Sequence, residues 1–274
     1  MSEENIRRLL AKYDIRAKKN YGQNFLVDPR VTDKIIAAGE IAENDGVIEI
    51  GPGLGSLTRS LCKNAKTVTA FEIDARLSEI LAAELSEFEN LRIVTGDFLK
   101  ADISAFNGCK IAANLPYGIT SPAIFKILNE VNFVNAVLMI QREVAERLLS
   151  PPNSPNYGSI TVSVSYYCEI SLAANVPQNC FVPRPNVDSA VIKLVPRKER
   201  LLPKDREEVF FLLVKAAFSK RRKTLLNCIC SFPWENPPSK EEAKILLNAA
   251  NIDENVRGET LALTDFLRLA KIFH

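Results

Sequence analysis

A chain of 274 residues with 47% hydrophobic and 25% charged content carries enough apolar material for a large core, and its length predicts one substantial domain plus a smaller one. Six cysteines without a Cys-x-x-Cys pair and a single histidine, His274, exclude most metal and redox readings, and they exclude Ser–His and Cys–His nucleophiles because no imidazole is at hand to activate them. A formal net charge of +2 is weak evidence for a nucleic-acid partner, since phosphates are held by local clusters of Lys and Arg rather than by the total.

Residues 1–8 place no apolar stretch behind a basic end, and no later segment runs apolar long enough to span a bilayer. A cytoplasmic protein with no membrane partner is expected. From residue 47 onward, β-type runs at 47–50, 67–71, 91–94, 110–113 and 136–140 alternate with helical patterns such as 57–63 and 76–85. This alternation predicts an α/β fold with a doubly wound, mostly parallel sheet, whose ligands bind beyond the carboxyl ends of the strands. Residues 141–149 read as a helix, and Ser150-Pro151-Pro152-Asn153-Ser154-Pro155-Asn156 as a surface loop. Two further β-rich runs, 159–167 and 187–195, are expected to complete the sheet with an antiparallel edge. From residue 202 the pattern is helical, clearest over 206–218, 240–250 and 264–272, which places a domain boundary near Arg197 and divides the chain into 1–196 and 197–274. The cysteines read as buried, reduced small hydrophobes, and no metal is expected.

The first strand runs into Gly51-Pro52-Gly53-Leu54-Gly55-Ser56, where Gly51, Gly53 and Gly55 permit a tight turn and close approach of the main chain to a ligand. Such a turn alone reads equally as a structural bend, but Glu72 follows at the end of the second strand, about 20 residues on, where an acid can accept both ribose hydroxyls of a nucleoside. The turn is shorter than the Gly-x-Gly-x-x-Gly of dinucleotide sites. Asp97, after the third strand, adds an acceptor suited to the amino group of an adenine, against the plainer role of a helix N-cap.

The fourth strand delivers Asn114-Leu115-Pro116-Tyr117. The Asn114 side chain and the Leu115 carbonyl suit the two N–H bonds of an exocyclic amine, Pro116 fixes the bend, and Tyr117 offers a face for stacking on a base. A sulfonium methyl donor needs no ionisable base before transfer, in keeping with the missing histidine. A base inside a helix cannot enter such a pocket, so the target is flipped out or unpaired. Phe181, in Cys180-Phe181-Val182-Pro183-Arg184-Pro185, is the candidate second aromatic wall, with a core phenylalanine before a proline-bounded turn as the equal alternative.

Lys18-Lys19-Asn20-Tyr21-Gly22-Gln23-Asn24-Phe25-Leu26, the glycine turn, Phe71-Glu72-Ile73-Asp74, Asn114-Leu115-Pro116-Tyr117, the segment from Phe181 to Ala190 and Arg221-Arg222-Lys223-Thr224-Leu225-Leu226-Asn227 together resemble the bacterial ribosomal RNA small-subunit adenine dimethyltransferases. The resemblance implies a Rossmann-like methyltransferase sheet with a small helical RNA-contacting domain, S-adenosylmethionine as cofactor, and methylation of two adjacent adenines near the 3′ end of 16S ribosomal RNA in the immature small subunit. It carries cofactor contacts onto Asn24, Leu26, Gly51, Glu72, Asp97 and Asn114, and it marks Gly118 as a position where relatives often hold a larger side chain. Lys18, Lys19, Lys220, Arg221, Arg222 and Lys223 are the expected RNA contacts, and a monomer is expected. Three rivals are a large-subunit 23S adenine methyltransferase of the macrolide-resistance type, a non-catalytic assembly or transcription factor on the same fold, and, weakest, a dinucleotide oxidoreductase. Gly22-Gln23-Asn24-Phe25-Leu26 and Leu115 favour the small-subunit group.

Overall fold

The computed structural model describes residues 1–17 and 22–273, so Lys18 and Lys19 lie outside the described residues. Elements follow in chain order as α1 (Glu3–Lys12), β1 (Phe25–Leu26), α2 (Pro29–Ala38), β2 (Gly46–Ile50), α3 (Ser56–Asn64), β3 (Thr67–Glu72), α4 (Ala75–Glu84), β4 (Leu91–Thr95), β5 (Cys109–Asn114), α5 (Thr120–Glu130), β6 (Phe133–Gln141), α6 (Arg142–Leu148), α7 (Ser159–Tyr167), β7 (Cys168–Val176), β8 (Phe181–Val182), β9 (Ser189–Pro196), α8 (Lys204–Phe218), α9 (Leu225–Ser231), α10 (Lys240–Ala249) and α11 (Leu263–Ile272).

Seven strands form one sheet in the order β4-β3-β2-β5-β6-β9-β7, and β1 pairs with β8 in a small second sheet. Strands β4 through β6 are parallel to their neighbours, while β9 runs antiparallel to β6. The central strands read as continuous apolar runs because both faces are covered, as parallel sheets require. Val47, Ile48, Ile50, Val68, Ala70, Ile111, Ala112 and Ala113 are all buried. Chain order reverses at β2, with β3 on one side and β5 on the other, which opens a crevice beyond their carboxyl ends. Register aligns that edge. Ile50 lies opposite both Phe71 and Ala113, so Gly51, Glu72 and Asn114 fall on the next row, and Glu72 is level with Thr95 of β4.

Two compact units divide the chain, Met1–Ala145 with Ile170–Pro196, and Glu146–Glu169 with Arg197–His274. A single division at 196 was expected near Arg197; in the structure residues 146–169 fall with those from Arg197 onward. Within residues 146–169 lies a correction, since 159–167 is helix α7 and the strand follows it as β7. Ser-Ile-Thr-Val-Ser-Val-Ser-Tyr alternates like a strand and is rich in β-branched residues, yet burial decides the outcome. Val162 and Tyr166 join the helical unit's core with Phe210, Leu213 and Phe266, and the Tyr166 ring lies 4.6 Å from that of Phe210. The Thr161 hydroxyl accepts from the Gly158 N–H at 3.2 Å and donates to the Arg147 carbonyl at 2.7 Å, tying the first turn of α7 to the end of α6.

All six cysteines are free, five of them buried. Burial pushes the Cys62 and Cys168 thiols up to about 12, which leaves them without thiolate at neutral pH. Among the described residues no helix is long and apolar enough to cross a membrane.

Candidate active site

A cavity of about 540 Å³ opens at the carboxyl edge of β2, β3, β4 and β5, within the range of small-molecule sites. Its lining brings together Asn24, Leu26, Gly51, Gly53, Glu72, Asp97, Asn114, Leu115, Pro116 and Tyr117, residues drawn from four strand ends and the segment around β1.

Glu72 ends β3 with its side chain held from two sides. The Gly53 N–H donates to Oε2 and the Asp74 N–H to Oε1, each at 3.0 Å. A carboxylate has about four acceptor positions, so both oxygens can still accept from a ligand while the main chain fixes their direction. Glu72 is 4% exposed, and burial raises its pKa above the ordinary carboxylate value against those two backbone bonds. Beside it Ile73 is 46% exposed and lines the same cavity, an apolar face suited to a flat ring.

The glycines of the turn serve the protein as much as any ligand. Gly53 has φ +59 and a Cβ there would lie 3.2 Å from the Phe25 ring, while at Gly55, φ +81, it would lie 2.7 Å from Leu81 Cδ1. Gly55 does not line the cavity. Its close neighbours are instead Leu81 of α4 and Leu85 just beyond it.

Asp97 does cap a short 3-10 turn, accepting from the Leu99 N–H at 3.0 Å, and it also lines the cavity. The two readings of this residue are compatible, because one oxygen serves as cap and the other faces no described protein donor.

Asn114 closes β5, and its side-chain amide donates to the Asn24 carbonyl at 3.1 Å. Asn24 in turn donates to the Gly22 carbonyl at 3.1 Å. With the amide nitrogen engaged, the Asn114 carbonyl oxygen is the atom left to accept an amine N–H. The Leu115 N–H donates to Met139 of β6 at 3.0 Å, anchoring the clamp to the sheet. Tyr117 is half-buried and its hydroxyl lies 3.0 Å from that of Ser189 at the start of β9. Gly118 is exposed, and a side chain there would meet nothing within 4 Å, so the mouth of the cavity has room.

Phe181 departs from the expected second wall. It is 3% exposed, packs with Leu26, Val31 and Cys180, and is absent from the cavity lining. Pairing of β8 with β1 sets Phe181 opposite Leu26, which turns its ring into the core, as the plainer alternative held.

Glu49 is an acidic lining residue that motif reasoning missed. It is 1% exposed and its Oε2 has no hydrogen-bond partner among the described residues. Burial, aided by the charge of Glu72, pushes its carboxyl up to about 8. The signal was present as one acid inside the apolar run Val47-Ile48-Glu49-Ile50.

Lys220, Arg221, Arg222 and Lys223 are exposed in the turn between α8 and α9. Lys220 donates to Ser231 at 2.9 Å and Arg221 to the Pro155 carbonyl at 2.8 Å, so this basic run is partly braced within its own unit.

A family model described as ribosomal RNA adenine dimethylase matches residues 15–274. The ribosomal RNA small subunit methyltransferase A of Geobacillus thermodenitrificans is 44% identical over 271 residues, covering 96% of this chain and 92% of that protein. Its counterpart in Clostridioides difficile is 41% identical over 281 residues, covering 100% and 96%. Among solved structures, a dimethyladenosine transferase from Plasmodium falciparum superposes with a TM-score of 0.77 at 34% identity, over 89% of this chain and 95% of that one. The 23S rRNA methyltransferase ErmE gives 0.72 at 28% identity, over 90% and 98%. With the match running through both units and the cavity assembled from the matching motifs, the chain belongs to the ribosomal RNA adenine dimethylase family.

Proposed function

We propose that this protein transfers methyl groups from S-adenosylmethionine to the exocyclic amines of two adjacent adenines in a hairpin loop near the 3′ end of 16S ribosomal RNA, giving dimethyladenosines during biogenesis of the small subunit. The observation that carries this reading is a single cavity lined by Glu72, Asn114 and Tyr117. The residues present fit the cofactor: Glu72 is pre-oriented for two ribose hydroxyls, Ile73 offers an apolar face, and Asp97 an acceptor for an adenine amino group. When bound, S-adenosylmethionine supplies an electrophilic methyl group on a positively charged sulfonium.

The chain's own residues do the rest. Asn114 Oδ1 and the Leu115 carbonyl accept the two N–H bonds of the target amine before the first transfer and share the one that remains before the second, drawing its lone pair out of conjugation with the ring; the proton displaced in each transfer passes to solvent. Tyr117 stacks on the base, an interaction worth roughly 1–3 kcal/mol in single-stranded complexes. Neither step needs an ionisable base, and holding two reactants in line supplies most of the acceleration. Exposed Arg222 and Lys223, with Lys220 and Arg221, contact RNA phosphates from the helical unit, as do Lys18 and Lys19 from the other. The protein acts as a cytoplasmic monomer on immature small subunits.

The full-length relatives named for the small subunit favour this substrate over the 23S reading, which the likeness to ErmE keeps as the second one. Transfer of tritium from labelled cofactor onto unmethylated small subunits, followed by nucleoside analysis, tests the proposal. Dimethyladenosine in 16S RNA is expected, and label confined to large-subunit RNA contradicts it.

A further inference from the structure

Tyr117 follows the clamp residues Asn114, Leu115 and Pro116, and the far end of its ring is held by a 3.0 Å hydrogen bond between its hydroxyl and that of Ser189. Ser189 is 1% exposed and sits where β9 begins. Its register partner is Gln141 of β6, and on β6's other side Met139 is opposite Asn114. The phenol therefore reaches from the end of β5 across β6 to β9, two strands away. The anchor is itself rigid: the preceding Asp188 accepts the Gln178 N–H at 3.0 Å through its side chain and the Arg142 N–H at 3.0 Å through its carbonyl. A tyrosine without such a tether turns about two side-chain torsions and offers its face in many directions.

We propose that Ser189 is a positioning residue for methyl transfer, its hydroxyl tethering the Tyr117 phenol so that the ring face toward the base is held in one orientation. The inference rests on Tyr117 acting as the base clamp. Ser189 is not among the residues that line the cavity, so its effect passes through Tyr117.

The test is a double-mutant cycle of Ser189→Ala and Tyr117→Phe, which remove the same hydrogen bond from opposite ends, assayed for single-turnover and steady-state methylation of unmethylated small subunits. Loss of one hydrogen bond in a half-buried setting predicts that kcat falls about fivefold in each single variant. KM for the subunit and the calorimetric cofactor Kd should stay put, and the double variant should be no slower than either single one. A wild-type kcat in either single variant, a change confined to KM, or losses that multiply in the double variant would each overturn the tether. Tyr117→Phe leaves β9 untouched, so it carries the test even if Ser189→Ala disturbs folding. Tyr117→Ala separates the two levels of argument: a wild-type rate there removes the clamp itself, whereas a large loss there with additive single variants removes only the tether.

Discussion

Glu49→Gln isolates a buried carboxyl whose ordinary pKa of 4.5 is pushed up to about 8 by burial. The unfolded chain releases this proton near 4.5, while the folded chain keeps it until about pH 8. Between those values the folded state binds more protons, so this group makes stability fall as pH rises, and the loss is complete only above 8. The slope is at most about 1.4 kcal/mol per pH unit, hence roughly 2–3 kcal/mol between pH 5.5 and 7.5. Glutamine keeps the shape and carries no titrating proton. Relative to wild type, Glu49→Gln should therefore gain roughly 2–3 kcal/mol on moving from pH 5.5 to 7.5, measured by urea unfolding followed by circular dichroism. Glu72 is common to both proteins, and with one histidine in the chain few other groups titrate in this window. Parallel pH dependences for the two proteins would refute the assignment of a neutral Glu49.

Gly55→Ala should destabilise the sheet unit by about 2–4 kcal/mol, because it combines a left-handed backbone at φ +81 with a methyl 2.7 Å from Leu81 Cδ1. Leu81 and Leu85 are both buried, so denaturant midpoints in which the variant matches wild type would contradict the packing role. Glu72→Gln should weaken cofactor binding by calorimetry at least about tenfold, since a charge-assisted acceptor becomes a neutral amide. An unchanged Kd would place the ribose elsewhere.

Much of the sheet was legible because parallel strands covered on both faces leave uninterrupted apolar runs, and because each site residue follows such a run directly. Gly51, Glu72, Asp97 and Asn114 could be placed on one edge from strand order alone. What escaped was decided by contacts distant in sequence. The alternation of 159–167 is equally a strand pattern, and only the aromatic core around Phe210 and Phe266 makes it a helix. Residues 146–169 cross to the helical unit for the same reason. Phe181 faces inward because β8 pairs with β1, a strand of two residues too short to signal itself. The close approach of Gly55 to Leu81 was not legible because Leu81 is on another helix. Glu49 was visible in the sequence and passed over, since no motif singled it out.

The most direct measurement is single-turnover methyl transfer by Asn114→Ala on unmethylated small subunits, with circular dichroism of the same sample. Asn114 stands where the amine must be gripped, and its amide nitrogen donates to the Asn24 carbonyl, which holds its side-chain oxygen in place as an acceptor. A loss of at least about 100-fold, of the size seen when one preorganised polar group is removed from a reacting centre, with the fold intact, is predicted. Transfer at the wild-type rate by a folded variant would contradict the account.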